Sequence, residues 1–337
     1  MKKNLFFAAA FMLFAGAAVA QGNTNTVNQS GTNHNAEVAQ TGARNYSAVD
    51  QTNDNNNAIV DQLGTDNKSE IVQIQGAYNN EATVDQEGAS NIAYQQQGGN
   101  ATSNVADVMQ VGDNNNALQS QVINSGNNEA FIGQFGDNNR ASQYQEASSD
   151  YNLAEIVQDG TRNLANQDQS DVSGSNQAYI DQTGDRNDAA QEQTNVSLGN
   201  MATVTQEGYW NYGFQYQRGI SALNEATITQ TGDINDAYQY QELISLANVA
   251  TITQTGDYNY ARQEQSSLSG LFNEATITQT GDSNRGFQTQ RNGGDLTATL
   301  TQDGNSNLSY QTQTGTSHVS TVTQTGSFNT STVTQGN

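Results

Sequence analysis

The chain has 337 residues, 34 acidic against 11 basic, a formal net charge of −23, and neither cysteine nor proline. That charge excludes binding to nucleic acid or to anionic membrane, both of which need basic patches, and the absent cysteines exclude disulfides and thiolate–metal sites. Only 34% of residues are hydrophobic, which alone would suit disorder, yet a chain without proline keeps every backbone N–H available for β-ladders.

Residues 1–20 read as a cleaved signal peptide. Lys2 and Lys3 precede an apolar run that ends in the small-residue exit Ala18-Val19-Ala20. Cleavage before Gln21 would export a mature chain with nine basic residues against 34 acidic, a net charge of −25. No later run is apolar for long enough to cross a bilayer, so no membrane span is expected in the mature chain. Residues 21–33 form a short N-terminal segment with a partial repeat around Gln29-Ser30-Gly31.

From residue 34 to 337 one unit recurs, as in residues 224–241, NEATITQTGDINDAYQYQ. Its frame is Q-x-G-x-x-N-x5-Q. The first glutamine is Gln40, Gln62, Gln86, Gln110, Gln134, Gln158, Gln182, Gln206, Gln230, Gln254, Gln279, Gln302 and Gln324. The second is Gln51, Gln73, Gln97, Gln121, Gln145, Gln169, Gln193, Gln217, Gln241, Gln265, Gln290, Gln313 and Gln335. Eight successive spacings, from Gln62 to Gln254, are 24 residues, and the four others range from 22 to 25. A fixed period of this length marks a repeat architecture.

Each half of the unit alternates with period two, the signature of a strand. Asn224, Ala226, Ile228 and Gln230 share one parity, and Asn235, Ala237, Gln239 and Gln241 share the corresponding one. The aliphatic position, Val38 through Ile228 to Val322, is nearly always β-branched, which suits a strand better than a helix. The position before it on the same face is Ala or Ser, as a thin core requires. Gly232, Gly256 and Gly281 supply the turn between the strands, and a loop of four to seven residues absorbs the changes in length.

One such unit cannot stand alone, because ordering ~24 residues costs ~1–2 kcal/mol each in backbone entropy. Stacked units can, since each rung pairs with the next and continues its side-chain columns. The expected fold is therefore all-β: a solenoid of about thirteen two-strand rungs, cross-β in character, and thirteen rungs at ~4.8 Å give a rod ~62 Å long. The paired glutamines, with Asn235 and Asn259, are assigned to inward amide ladders.

The pattern N-x-A-x-[VI]-x-Q-x-G-x-x-N-x-A-x-x-x-Q resembles the curlin repeat of curli, the bacterial functional amyloid of biofilm matrix, over about residues 34–335. The resemblance implies a left-handed solenoid of two strands per rung and nucleated growth of a fibre at the cell surface. It further implies a separate nucleator subunit and export through an outer-membrane pore, a targeting role that would fall to residues 21–33. This chain departs from the family in opening most repeats with Asn instead of Ser, with Leu296 and His318 there in the last two. It also places Gln239 and its equivalents where many second strands carry an aliphatic residue. The regularity favours a major subunit over a nucleator.

No constellation for catalysis, metal or cofactor binding stands out. His34 and His318, the only histidines, lie in repeats at opposite ends. Asp233, Asp257 and Asp282 in the turns are candidate gatekeepers that slow premature stacking, with cation binding as the competing reading. Outward aromatics, among them Tyr94, Tyr144, Phe214, Tyr216, Tyr238, Tyr240, Phe287 and Tyr310, fit ordinary β-propensity or a surface for lateral bundling. Thr-x-Thr pairs on six consecutive repeats, from Thr203/Thr205 to Thr321/Thr323, support the main alternative: a monomeric solenoid that binds ice or acts as an adhesin. The last repeat, STVTQGN, carries no charged block, proline or helix to cap an open edge, which favours a self-stacking fibre.

Overall fold

A computed structural model describes residues 22–171 and 173–336. The expected signal peptide at residues 1–20 lies outside them. Among the described residues the fold is all-β, two sheets of parallel strands that face one another across a thin core. The chain alternates between them. Strand β1 (Thr24–Thr32) joins the larger sheet, β2 (Asn35–Ala43) the smaller, and β3 (Tyr46–Asp54) returns to the larger, directly onto β1. The alternation continues to Val319–Thr325 and Thr330–Gly336, giving the β-solenoid of thirteen two-strand rungs plus the single strand β1.

The period of the sequence sets the register. Because equivalent residues recur at a near-constant interval, Ala226 falls on Ala250, Ile228 on Ile252 and Gln230 on Gln254. Side chains of one parity meet in the middle, where Ala226, Ile228 and Ala237 are buried with their counterparts above and below. That aliphatic file runs the length of the rod beside an equally buried file of amides. The other parity forms the two outer faces.

The turn glycine has two reasons to be glycine. Gly232 adopts φ +113°, a conformation that L side chains rarely take. A Cβ there would also lie 2.3 Å from the carbonyl oxygen of Gly256 in the next rung, and one on Gly256 would lie 2.4 Å from that of Gly281. The turns therefore stack backbone on backbone.

The loop between rungs is more ordered than a length-absorbing connection would be. Across the 24-residue rungs it forms a third, narrow ladder, with bridges from Asp54 through Tyr78, Thr102, Gly126 and Asp150 to Gly174. Ala77, Ala101, Ser125, Ser149, Ser197 and Ser221 are buried beneath it. The larger sheet counts fifteen strands because one row is split into Leu164–Asp168 and Ser173–Gly174, both paired with Asp188–Leu198. The single residue added in the 25-residue unit enters as a register shift between Leu243 and Ser245.

Candidate assembly surfaces

Among the described residues, inward-facing glutamines form three ladders along the rod, buried except at its ends. The first runs without a break from Gln40 to Gln324, each Nε2 donating to the Oε1 of the next at 2.7–2.9 Å. The second runs from Gln29 through Gln51 to Gln335 at 2.8–3.0 Å. The remaining amide hydrogens go to backbone carbonyls, such as Gln230 Nε2 to Tyr212 O at 3.0 Å and Gln241 Nε2 to Glu225 O at 3.1 Å. Every one of these amides donates toward the higher-numbered rung, so the ladders have a direction.

The third ladder, Gln95 to Gln311, consists of Gln239 and its equivalents at 2.8–3.0 Å. It does not reach the ends. Val27, Val49 and Ile71 hold its column before Gln95, and Val333 holds it after Gln311. Gln95 Oε1, which faces Ile71 instead of a donor, is buried without a partner. An ordered polar column that begins on an aliphatic residue must leave one such acceptor.

Asn235 Nδ2 donates to Asn211 Oδ1 of the neighbouring rung at 3.1 Å, and both Asn235 and Asn259 bond backbone groups as well. Their main partners are backbone groups at the corners. The Asn235 N–H donates to Asn211 Oδ1 at 3.0 Å, and Asn235 Nδ2 donates to the Gly256 carbonyl at 2.7 Å. The Asn259 N–H in turn donates to Asn235 Oδ1 at 3.0 Å, and Asn259 Nδ2 to Gly281 O at 2.7 Å. At the opposite corner, the Asn224 N–H reaches Asn200 Oδ1 at 2.9 Å. Only a short amide satisfies both backbone groups there, which is why Asn marks the corners and Gln the strands.

Residues 273–310 match the family model of the curlin associated repeat. The matched stretch holds the rung Glu274–Thr280 and Arg285–Arg291 and part of the next, with Gln279, Gly281, Asn284 and Gln290 in frame. No curated protein matches the chain. A curlin repeat on a β-solenoid points to a structural protein instead of an enzyme.

On the outside of the rungs the turn aspartates bind their neighbours. The Asp233 N–H donates to Asp257 Oδ1 at 2.9 Å, and the Asp257 N–H to Asp282 Oδ1 at 3.0 Å. Asn305 takes the next place and accepts from the Asp282 N–H at 2.9 Å. An oxygen acceptor is what the column needs, and an amide supplies it as well as a carboxylate. Among the described residues, no group of three or more His, Cys, Asp and Glu could hold a metal ion, and no helix is long and apolar enough to cross a membrane.

The larger sheet carries a file of aromatic rings. Tyr212, Tyr238, Tyr260, Phe287 and Tyr310 follow one another at centroid separations of 4.8–5.6 Å, with Phe214 and Tyr240 beside them at 5.8 Å. Tyr212 and Tyr260 complete a contact that runs diagonally from rung to rung. The smaller sheet carries the threonines. Thr203, Thr227, Thr251, Thr276, Thr299 and Thr321 are in register, and so is the second file from Thr205 to Thr323. On the same sheet nearer the N-terminus, burial and then the neighbouring Asp85 and Glu81 push the Asp107 carboxyl up to about 6. Asp85 and Asp61 are raised in the same direction, chiefly by burial. His34 and His318 lie at opposite ends of the rod, with no site between them.

The rod is open at both ends among the described residues. β1 and β2 form one edge, Val319–Thr325 and Thr330–Gly336 the other. Val27 is 40% exposed on β1, whereas Val49 directly beneath it is 1% exposed.

Proposed function

We propose that this chain is the structural subunit of an extracellular, curli-like amyloid fibre that contributes to biofilm matrix and adhesion, and that the fibre grows by end-to-end stacking of solenoids. The observation that carries this reading is the polarity of the open ends. The ladders end on the Oε1 atoms of Gln29 and Gln40 at the first rungs and on the amides of Gln324 and Gln335 at the last. One molecule's last rung therefore offers donors where the next molecule's first rung offers acceptors, a head-to-tail contact that does not close. The curlin repeat supports the same reading, and with it secretion, a nucleator subunit and an outer-membrane pore as partners. In this reading the protein needs no cofactor, and its partner within the fibre is a further copy of itself. Seeded growth tests it: short fibre fragments should abolish the lag of fresh monomer, and a lag unaffected by seeds would refute it.

The in-register threonine files give the alternative a specific footing, since a flat Thr-x-Thr array on a rigid solenoid suits ice binding by a monomer. An ice-recrystallisation assay on soluble chain separates the two. Activity that persists with the fibre-forming ends blocked would favour the second.

A further inference from the structure

The two sheets do not have the same number of rows. Among the described residues the smaller sheet has thirteen strands, and the larger has fifteen strands in fourteen rows, since Leu164–Asp168 and Ser173–Gly174 share a row. A filament that continues both sheets across every junction needs equal rows in each. With β1 in place, a neighbour's Thr330–Gly336 can only land on β1, and its Val319–Thr325 is then one row short of β2. β1 occupies the place that the neighbour must take.

The sequence of β1 explains what it stands in for. Asn23-Thr24-Asn25-Thr26-Val27-Asn28-Gln29 shares five of seven residues with Asn329-Thr330-Ser331-Thr332-Val333-Thr334-Gln335, more than with any other row of the larger sheet. Three of the shared residues meet the β3 row through their side chains. Val27 lies on Val49, Gln29 Nε2 donates to Gln51 Oε1 at 2.8 Å, and Asn23 Oδ1 accepts from the Asn45 N–H at 2.9 Å. Val333, Gln335 and Asn329 of a second copy would supply the same three contacts. Val333 is also the residue that breaks the third glutamine ladder, and a glutamine in its place would bring a donor onto aliphatic Val49.

We infer that β1 is a removable placeholder for the last strand of a second copy of this chain, and that fibre growth proceeds by strand exchange on β3. The incoming Thr330–Gly336 displaces Thr24–Thr32 from the edge of Tyr46–Asp54, while its Val319–Thr325 pairs with Asn35–Ala43. β1 is suited to leave. It is an end row that meets the smaller sheet only at β2, through Gln40 Nε2 to Thr24 O at 3.3 Å, and all nine of its residues are exposed. In the free molecule it holds the edge of β3 with its own in-register pairing, so a second copy gains that edge only by displacing it. This inference rests on the fibre reading.

A disulfide that ties β1 to β3 tests it in the full chain expressed without residues 1–20. Thr26 and Ala48 are register partners on the outer face, and rows ~4.8 Å apart lie within disulfide reach. The T26C/A48C variant should elongate normally when reduced and at least tenfold more slowly when oxidised. The same bridge at the other end, Y310C/T332C, fixes a strand that never leaves and should not slow growth when oxidised. Fibres should show an axial repeat of thirteen rows, ~62 Å. Equal growth of oxidised and reduced T26C/A48C, or a repeat of fourteen rows near ~67 Å with a gap in one sheet, would overturn strand exchange and leave the fibre standing. Failure of the reduced proteins to form any filament would overturn both.

Discussion

The direction of the glutamine ladders makes two chemically identical substitutions unequal. Methionine nearly matches glutamine in volume but offers no amide, so Gln→Met tests hydrogen bonding with little change in packing. In the middle of the third ladder, Gln191 accepts from Gln167 at 3.0 Å and donates to Gln215 at 2.8 Å. Gln191→Met therefore leaves a Gln167 amide hydrogen and the Gln215 Oε1 without partners. At ~1–3 kcal/mol for each buried unsatisfied group, it should destabilise the rod by ~2–6 kcal/mol. At the start of the ladder, Gln95 already carries an unpartnered Oε1. Gln95→Met removes that orphan and creates one at Gln119 Oε1, so the count of orphaned side-chain groups does not change, and the lost bond to Thr83 O is matched by the loss of the bond to Tyr179 O at Gln191. Its cost should stay under ~1.5 kcal/mol, the usual limit for a shape-conserving change. Guanidinium unfolding of soluble chain, followed by far-UV circular dichroism, reads the difference. Equal losses at the two positions would refute the polarity of the ladder.

Gly256→Ala should disrupt the stack at its turn by more than ~2 kcal/mol, since the new Cβ would lie 2.4 Å from Gly281 O in a backbone conformation that alanine resists; a melt unchanged from wild type would contradict the backbone-on-backbone turn. The Asp107 carboxyl, pushed up to about 6, binds its proton more tightly in the folded chain than in the unfolded one, where Asp titrates near ~3.9. Stability should therefore be highest below about pH 4 and fall as pH rises to about 6, by at most ~3 kcal/mol from this group, and Asp107→Asn should flatten that slope in a pH series of melts. Replacing Asp233, Asp257 and Asp282 by Asn should shorten the lag of assembly, because it keeps the Oδ1 acceptors and removes repulsion of ~0.9 kcal/mol per pair in water. The corresponding alanines, which lose the acceptors, should lengthen it, and thioflavin kinetics with and without salt distinguish the two.

The rungs were legible because a stacked fold writes its register into the chain. A residue that must sit on its own equivalent returns at the same interval, so Gln230, Gly232, Asn235 and Gln241 are visible as a frame. Parity then separates Ile228 and Gln239 from Thr227 and Tyr238. The ordered loop left a weaker trace, an Ala or Ser four residues after the second glutamine, as at Ala77 and Ser125. A single residue per turn in a segment of changing length is easily taken for a connection. Asn235 is buried, and its bonds to backbone groups follow from corner geometry that spacing does not encode. The acceptor role of Asp233 was hidden for the same reason, since a turn aspartate reads first as a solvated charge. Tyr212 and Tyr260 escaped because aromatic contact runs diagonally, across positions that the repeat does not align. The kinship of β1 with Thr330–Gly336 is plain in the letters, but it acquires meaning only once the rows of each sheet are counted.

Cryo-electron microscopy of fibres grown from the chain without residues 1–20 would show how successive molecules stack. End-to-end stacking predicts two parallel sheets along the fibre axis, with each molecule filling many successive rows and the Gln230 and Gln241 columns continuing across molecular boundaries. Fibres in which each molecule forms a single flat layer, with Gln230 of one copy on Gln230 of the next, would contradict it, as would discrete rods that never join.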